Sequence, residues 1–75
     1  MIYCVNIRDY YSGKTIKTIL ETTNYDEACA TANSWNNEHN VTEDDIDSFY
    51  KEYVVVHSDG HICQKLADVY QDETR

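Results

Sequence analysis

Apolar and polar residues alternate over residues 2–10, IYCVNIRDY, with Tyr3, Val5 and Ile7 on one side, and over residues 14–22, KTIKTILET, with Ile16 and Leu20 on one side. A period of two predicts two half-buried strands. A two-residue hairpin loop at Ser12-Gly13 would set Val5 opposite Leu20 and Ile7 opposite Thr18, so both apolar sets share one face of the ribbon. The period then changes. In NYDEACATANSWNNEH, Asn24 followed by Glu27 makes an N-terminal capping box, and Asp26 and Glu27 suit the positive end of a helix dipole. A helix is therefore expected from about Tyr25. At about 100° per residue Tyr25, Ala28, Cys29 and Ala32 share one face, with Trp35 at its edge and Asp26, Glu27 and Glu38 pointing away. The small alanines predict close packing on a sheet.

Residues 40–48, NVTEDDIDS, carry no strong period; Thr42 and Asp45 can cap a short helical turn, or the segment is loop. FYKEYVVV predicts a third strand, His57-Ser58-Asp59-Gly60-His61 a hairpin turn whose glycine takes a positive φ, and HICQKLA a fourth strand. A three-residue loop there places Val54 and Val56 beside Ile62 and Leu66, whereas a two-residue loop groups Tyr53 and Val55 with them. The first has the more apolar inner face and is preferred. The predicted fold is thus α+β: a four-stranded antiparallel sheet, ββαββ in chain order and 2-1-3-4 in space, with one helix packed on one face.

Composition narrows the class. Seventy-five residues make one small domain with a thin core, a better host for a binding surface than for an enclosed cavity. A hydrophobic share of 41%, with seven tyrosines and one tryptophan, is too rich for a disordered acidic tail. Cys4, Cys29 and Cys63 are odd in number and set in apolar patterns, which predicts buried thiols in a reducing compartment, by default the cytoplasm. No apolar run approaches the length of about 18 residues that spans a membrane, and the alternating N-terminus does not read as a targeting segment.

Charge changes the picture more. Between Thr18 and Tyr50 stand eight acids, Glu21, Asp26, Glu27, Glu38, Glu43, Asp44, Asp45 and Asp47, and no Lys or Arg. Elsewhere Asp9, Glu52, Asp59, Asp68, Asp72 and Glu73 balance Arg8, Lys14, Lys17, Lys51, Lys65 and Arg75, so the net charge of −8 comes from that one stretch. One explanation is a solvated exterior that aids solubility. The other is a cationic partner, because clustered like charges repel and cost stability in a small domain unless something compensates. Spread along a helix of about 21 Å and its following loop, eight charges project roughly 3 Å apart, near the 3.4 Å per charge of a nucleic-acid strand. Aromatics among the acids, Tyr25, Trp35 and Tyr50, would supply apolar anchors and arginine-stacking faces. Direct binding to nucleic acid is disfavoured, because the basic residues are few and scattered.

Catalytic signatures are missing. With only Gly13 and Gly60 there is no phosphate loop, and no G-x-S-x-G, H-E-x-x-H or C-x-x-C motif occurs. No enzyme and no cofactor is expected. Glu43, Asp44, Asp45 and Asp47 lack the alternation, mid-loop glycine and terminal glutamate of a calcium loop. His57, His61 and Cys63, with Cys4, have zinc-ligand chemistry, but strand 1 would lie about 9.6 Å from strand 4 while zinc ligands converge to about 2.0–2.3 Å. Ordinary turn histidines and inert cysteines are preferred there. His39 suits the negative pole of the helix dipole.

An acid-only stretch on a compact ββαββ body resembles the small acidic inhibitors that phages encode against host defence: anti-CRISPR proteins, anti-restriction DNA mimics and the uracil-DNA glycosylase inhibitor. The likeness is one of type, resting on size, charge and the eight acids. It implies stoichiometric occlusion of a basic nucleic-acid-binding cleft on a nuclease, inside the host cell, with carboxylates standing where phosphates would sit. The alternative is a structural or regulatory module that dimerises or captures a peptide through a free sheet edge, its acidity serving solubility.

Overall fold

A computed structural model describing residues 1–74 shows an α+β fold in the order β1 (Ile2–Asp9), β2 (Thr15–Thr22), α1 (Tyr25–Glu38), α2 (Glu43–Lys51) and β3 (Lys65–Asp72). The three strands form one antiparallel sheet in the order β2-β1-β3. The predicted four strands in order 2-1-3-4 are corrected to three.

The first hairpin forms where alternation predicted it, and Val5 pairs with Leu20. Further along, Asn6 meets Thr18 and Ile7 meets Lys17, because the register shifts twice and leaves Ile19 and Ile16 as the extra residues of β2. The connection is longer than two residues. Gly13, at φ +71°, closes it with its N–H 2.9 Å from the Asp9 carbonyl, and the Asp9 carboxylate accepts the N–H groups of Tyr11 and Ser12.

Helix α1 starts at Tyr25 as expected, with the Asn24 side chain accepting the N–H of Glu27 at 3.1 Å, but the return half of the predicted capping box is not made, because the Asn24 N–H donates to the Thr22 hydroxyl at 3.1 Å. Ala28 and Ala32 press it onto Val5, Ile7 and Ala67, with Tyr3, Leu20, Trp35 and Val69 around them. Small side chains let the helix approach closely enough to bury those positions. Asn36 sits on the same buried face and does something else: its amide donates to the Ala67 carbonyl at 3.0 Å and accepts the Ala67 N–H at 2.7 Å. That is the backbone pair β3 turns away from β1, so α1 occupies part of the β3 edge.

The stretch predicted as a third strand differs most. Phe49, Tyr50 and Lys51 end α2, Glu52 turns the chain at φ +61°, and the valines that follow form no strand. Thr42 and Asp45 make a reciprocal capping box, which commits residues 43–51 to helix. Its fully buried positions are Asp45 and Ser48, both polar, while its apolar residues Ile46, Phe49 and Tyr50 are at most half-buried. Val54 is exposed and Val56 is 67% exposed, and neither pairs with a strand of the sheet; one bridge, Val56 to Ile62, is all that remains of the second hairpin. Gly60 has the expected positive φ, +86°, in that turn. Leu66 is buried, but with Tyr10, Cys63, Val41 and Phe49 in a second apolar cluster rather than beside Val54 and Val56.

Candidate functional site: an acidic helix beside an aromatic cleft

Of the eight acids, seven are exposed. Asp26 and Glu27 occupy the first turn of α1 and Glu38 its last residue. Glu21 stands near the end of β2, with the Cys4 thiol 3.9 Å away. Glu43, Asp44 and Asp47 fall within an arc of about 100° on the outer side of α2. Asp47 pairs with Lys51 one turn on, at 3.0 Å. The site therefore has a dense part, Glu38 through Asp47, with Asp26, Glu27 and Glu21 further off along the chain.

Asp45 leaves the set. Its carboxylate is fully buried, accepting the N–H and hydroxyl of Thr42 at 3.0 and 3.1 Å and lying 2.9 Å from His57 Nε2. Burial pushes its pKa up, but the Thr42 N–H, His57 and the Thr42 hydroxyl outweigh burial and hold it below the usual carboxylate value. A carboxylate so enclosed ties residues 52–62 to α2 and is out of reach of a partner.

The aromatic candidates separate too. Trp35 is partly buried against the α1 core and stacks on His39, with ring centroids 3.7 Å apart, while His39 Nδ1 meets the Trp35 carbonyl at 2.8 Å. His39 thus sits at the C-cap of α1, with its ring against a carbonyl of the last turn. Tyr25 is exposed and packs edge-on against Tyr3. Tyr50 is 59% exposed and lies beside acids, with its hydroxyl donating to Asp68 at 2.5 Å. Burial of the hydroxyl, then that bond, pushes the Tyr50 pKa up to about 12.

Tyr50 is one wall of a cleft of about 550 Å³ between α2 and the β1–β2 turn. Tyr11, Tyr53 and Val54, all exposed, complete its walls, and Tyr10 and Phe49 lie beneath them. The buried Tyr10 hydroxyl bonds to Ser48 and donates to the Tyr53 carbonyl, holding the chain after α2 in place. Arg8 also lines this cleft with its charge already engaged: Nη1 meets Asp68 at 2.8 Å, Nε and Nη2 reach the Gly13 carbonyl, and the guanidinium lies 4.9 Å from the Phe49 ring centroid. Among the described residues, Glu43, Asp44 and Glu52 have no ion-pair partner, whereas both cations here, Arg8 and Lys51, are paired. No protein-family model, curated protein or solved structure matches this chain.

Sequence reasoning missed Tyr11, Tyr53, Val54 and Glu52 as surface residues. Reading residues 49–56 as a strand put Val54 inside the sheet, although the density of tyrosines flanking Gly13 and α2 was visible. The zinc candidates do not converge. His57 bonds to Asp45 and stacks on His61 at 4.2 Å, His61 Nδ1 is 2.5 Å from Asp59, and the buried Cys63 thiol donates to the Lys65 carbonyl at 3.2 Å. Burial lifts the Cys63 pKa to about 11, leaving a neutral thiol. Among the described residues no three His, Cys, Asp or Glu side chains gather as a metal site would require, and no helix is long and apolar enough to cross a membrane.

Proposed function

We propose that this chain is a stoichiometric inhibitor that occludes the basic, nucleic-acid-binding surface of a host defence nuclease, of the anti-CRISPR or DNA-mimic type. The observation that carries this reading is the outer side of α2. Glu43, Asp44 and Asp47 stand together there, preceded by Glu38 and followed by Glu52, next to exposed tyrosines and with Lys51 as the one neighbouring cation on the helix. Carboxylates supply the charge that phosphates would, and the tyrosine faces supply stacking surfaces for arginine. Binding alone accounts for the effect, with no reaction.

Capture of a DNA-binding nuclease from host lysate, read with and without competing duplex DNA, tests the proposal. Wild-type protein should retain the nuclease at physiological salt and release it to duplex DNA or at 1 M salt, where the Debye length falls to about 3 Å. A variant carrying Glu38→Gln, Glu43→Gln, Asp44→Asn and Asp47→Asn should bind about tenfold or more weakly, since each rim charge contributes modestly. Equal retention by the variant, or indifference to DNA, would refute the proposal.

A further inference from the structure

A different cleft, of about 530 Å³, opens where the start of β2, the end of α1 and residues 61–65 meet. Buried Ile7 lies at its base. Its apolar lining is Trp35, Ile16 and Ile62, of which Ile16 is 49% and Ile62 38% exposed, and the polar side chains of His39 and His61 line it as well. Ile16 is there because the second register shift makes it an extra residue of β2. Exposed isoleucines and a tryptophan lining one hollow leave apolar area in water that a ligand could cover.

Charge at the rim has the opposite sign to the rest of the molecule. Lys17, paired in register with Ile7, and Lys65, the first residue of β3, both line the cleft. Of the five described Lys and Arg residues, Arg8 and Lys51 are ion-paired, and two of the remaining three are these lysines. Lys65 is also a minor influence on Asp9, across the β1–β3 pair. A chain of net charge −8 has acids to spare for pairing its lysines, yet these two have no ion-pair partner among the described residues.

We propose that this cleft binds an amphipathic monocarboxylate, its aliphatic or aromatic body against Ile16, Trp35 and Ile62 and its carboxylate at the Lys17 and Lys65 ammonium groups. The volume lies within the usual range of about 300–1,000 Å³ for small-molecule sites, and a body of about six to ten carbons fills its apolar part. This site is separate from the acidic face of α2, and either can hold without the other.

Trp35 is the one tryptophan of the chain, so its fluorescence reports on the cleft. The full chain is titrated with octanoate, 1-octanol and octylammonium. Octanoate should change Trp35 emission saturably with a dissociation constant below about 1 mM, 1-octanol should bind about tenfold more weakly, and octylammonium should bind more weakly still. In a Lys17→Gln, Lys65→Gln variant, octanoate should weaken about tenfold while 1-octanol stays unchanged, with the same far-ultraviolet circular dichroism because both lysines are exposed. No saturable change with octanoate up to about 5 mM, or equal affinity of the wild type for octanoate and 1-octanol, would overturn the proposal.

Discussion

Asp45 concentrates much of what distinguishes this molecule. It caps α2, meets His57 from twelve positions along the chain, and is buried while its acidic neighbours face water. Replacing it by Asn keeps the volume and removes the charge-assisted part of those bonds, and should cost about 1–3 kcal/mol in urea unfolding. Its folded pKa is depressed, so its contribution is fully present above the unfolded value of about 3.9 and is lost as pH falls through the lower folded value. The stability difference between wild type and Asp45→Asn should therefore shrink as pH falls below about 4. Taking the difference cancels Asp9 and Asp59, which are also depressed, by backbone hydrogen bonds first of all. At this scale the cap was half legible: Thr42 and Asp45 have the right spacing, but nothing nearby reveals that the carboxylate points inward. That depends on His57, on the far side of a turn.

Among the elements, β1 and α1 follow their local patterns, β2 departs by two register shifts that leave Ile16 exposed, and the other departures come where an element uses polar residues inside. Asn36 is the clearest instance, since it takes both backbone groups of Ala67 from the buried face of α1. Asn36→Ala would leave an N–H and a carbonyl without partners and should cost about 2–4 kcal/mol by chemical denaturation. It would also bare the β3 edge, so concentration-dependent association in light scattering should appear in the variant. The β2 edge is open along its length but irregular, with two shifts that bend it away from clean pairing. Helix α2 is only nine residues long and fully buries the polar Asp45 and Ser48, with Phe49 half-buried beside them, so the run of valines nearby looked more like the next element. A β-branched run makes a strand only where a neighbouring edge accepts its backbone, and residues 54–56 pair with none of the three strands.

For the molecule as a whole, the excess of negative charge is confined to one stretch and mostly displayed on one helix and its approach. Seven exposed carboxylates without interleaved cations repel one another, so screening should stabilise the free protein. The melting temperature should rise by about 3–6 °C between 10 mM and 0.5 M sodium chloride, whereas the quadruple α2-face variant should show a smaller rise. A melting temperature that falls with salt would mean that attractive pairs such as Arg8–Asp68 outweigh the repulsion. The two clefts lie at different places in this field, one beside the acids and one lined by Lys17 and Lys65, so ligands of opposite charge should not compete for them.

From the sequence alone come the β1–β2 hairpin with Val5 against Leu20, the start of α1 at its Asn24 cap, the inward alanines, and the confinement of charge to residues 18–50. Each of these is local: alternation, a cap three residues long, or a sum over positions. The tertiary structure decided that Asp45 and Asn36 face inward, that Val54 joins an aromatic cleft, and that Ile16 and Ile62 open beside Trp35. Those outcomes rest on partners 12 to 31 residues apart, His57 with Asp45 and Ala67 with Asn36. A polar side chain becomes a core residue only when the fold brings it a hydrogen-bonding partner, and no period along the chain encodes that meeting.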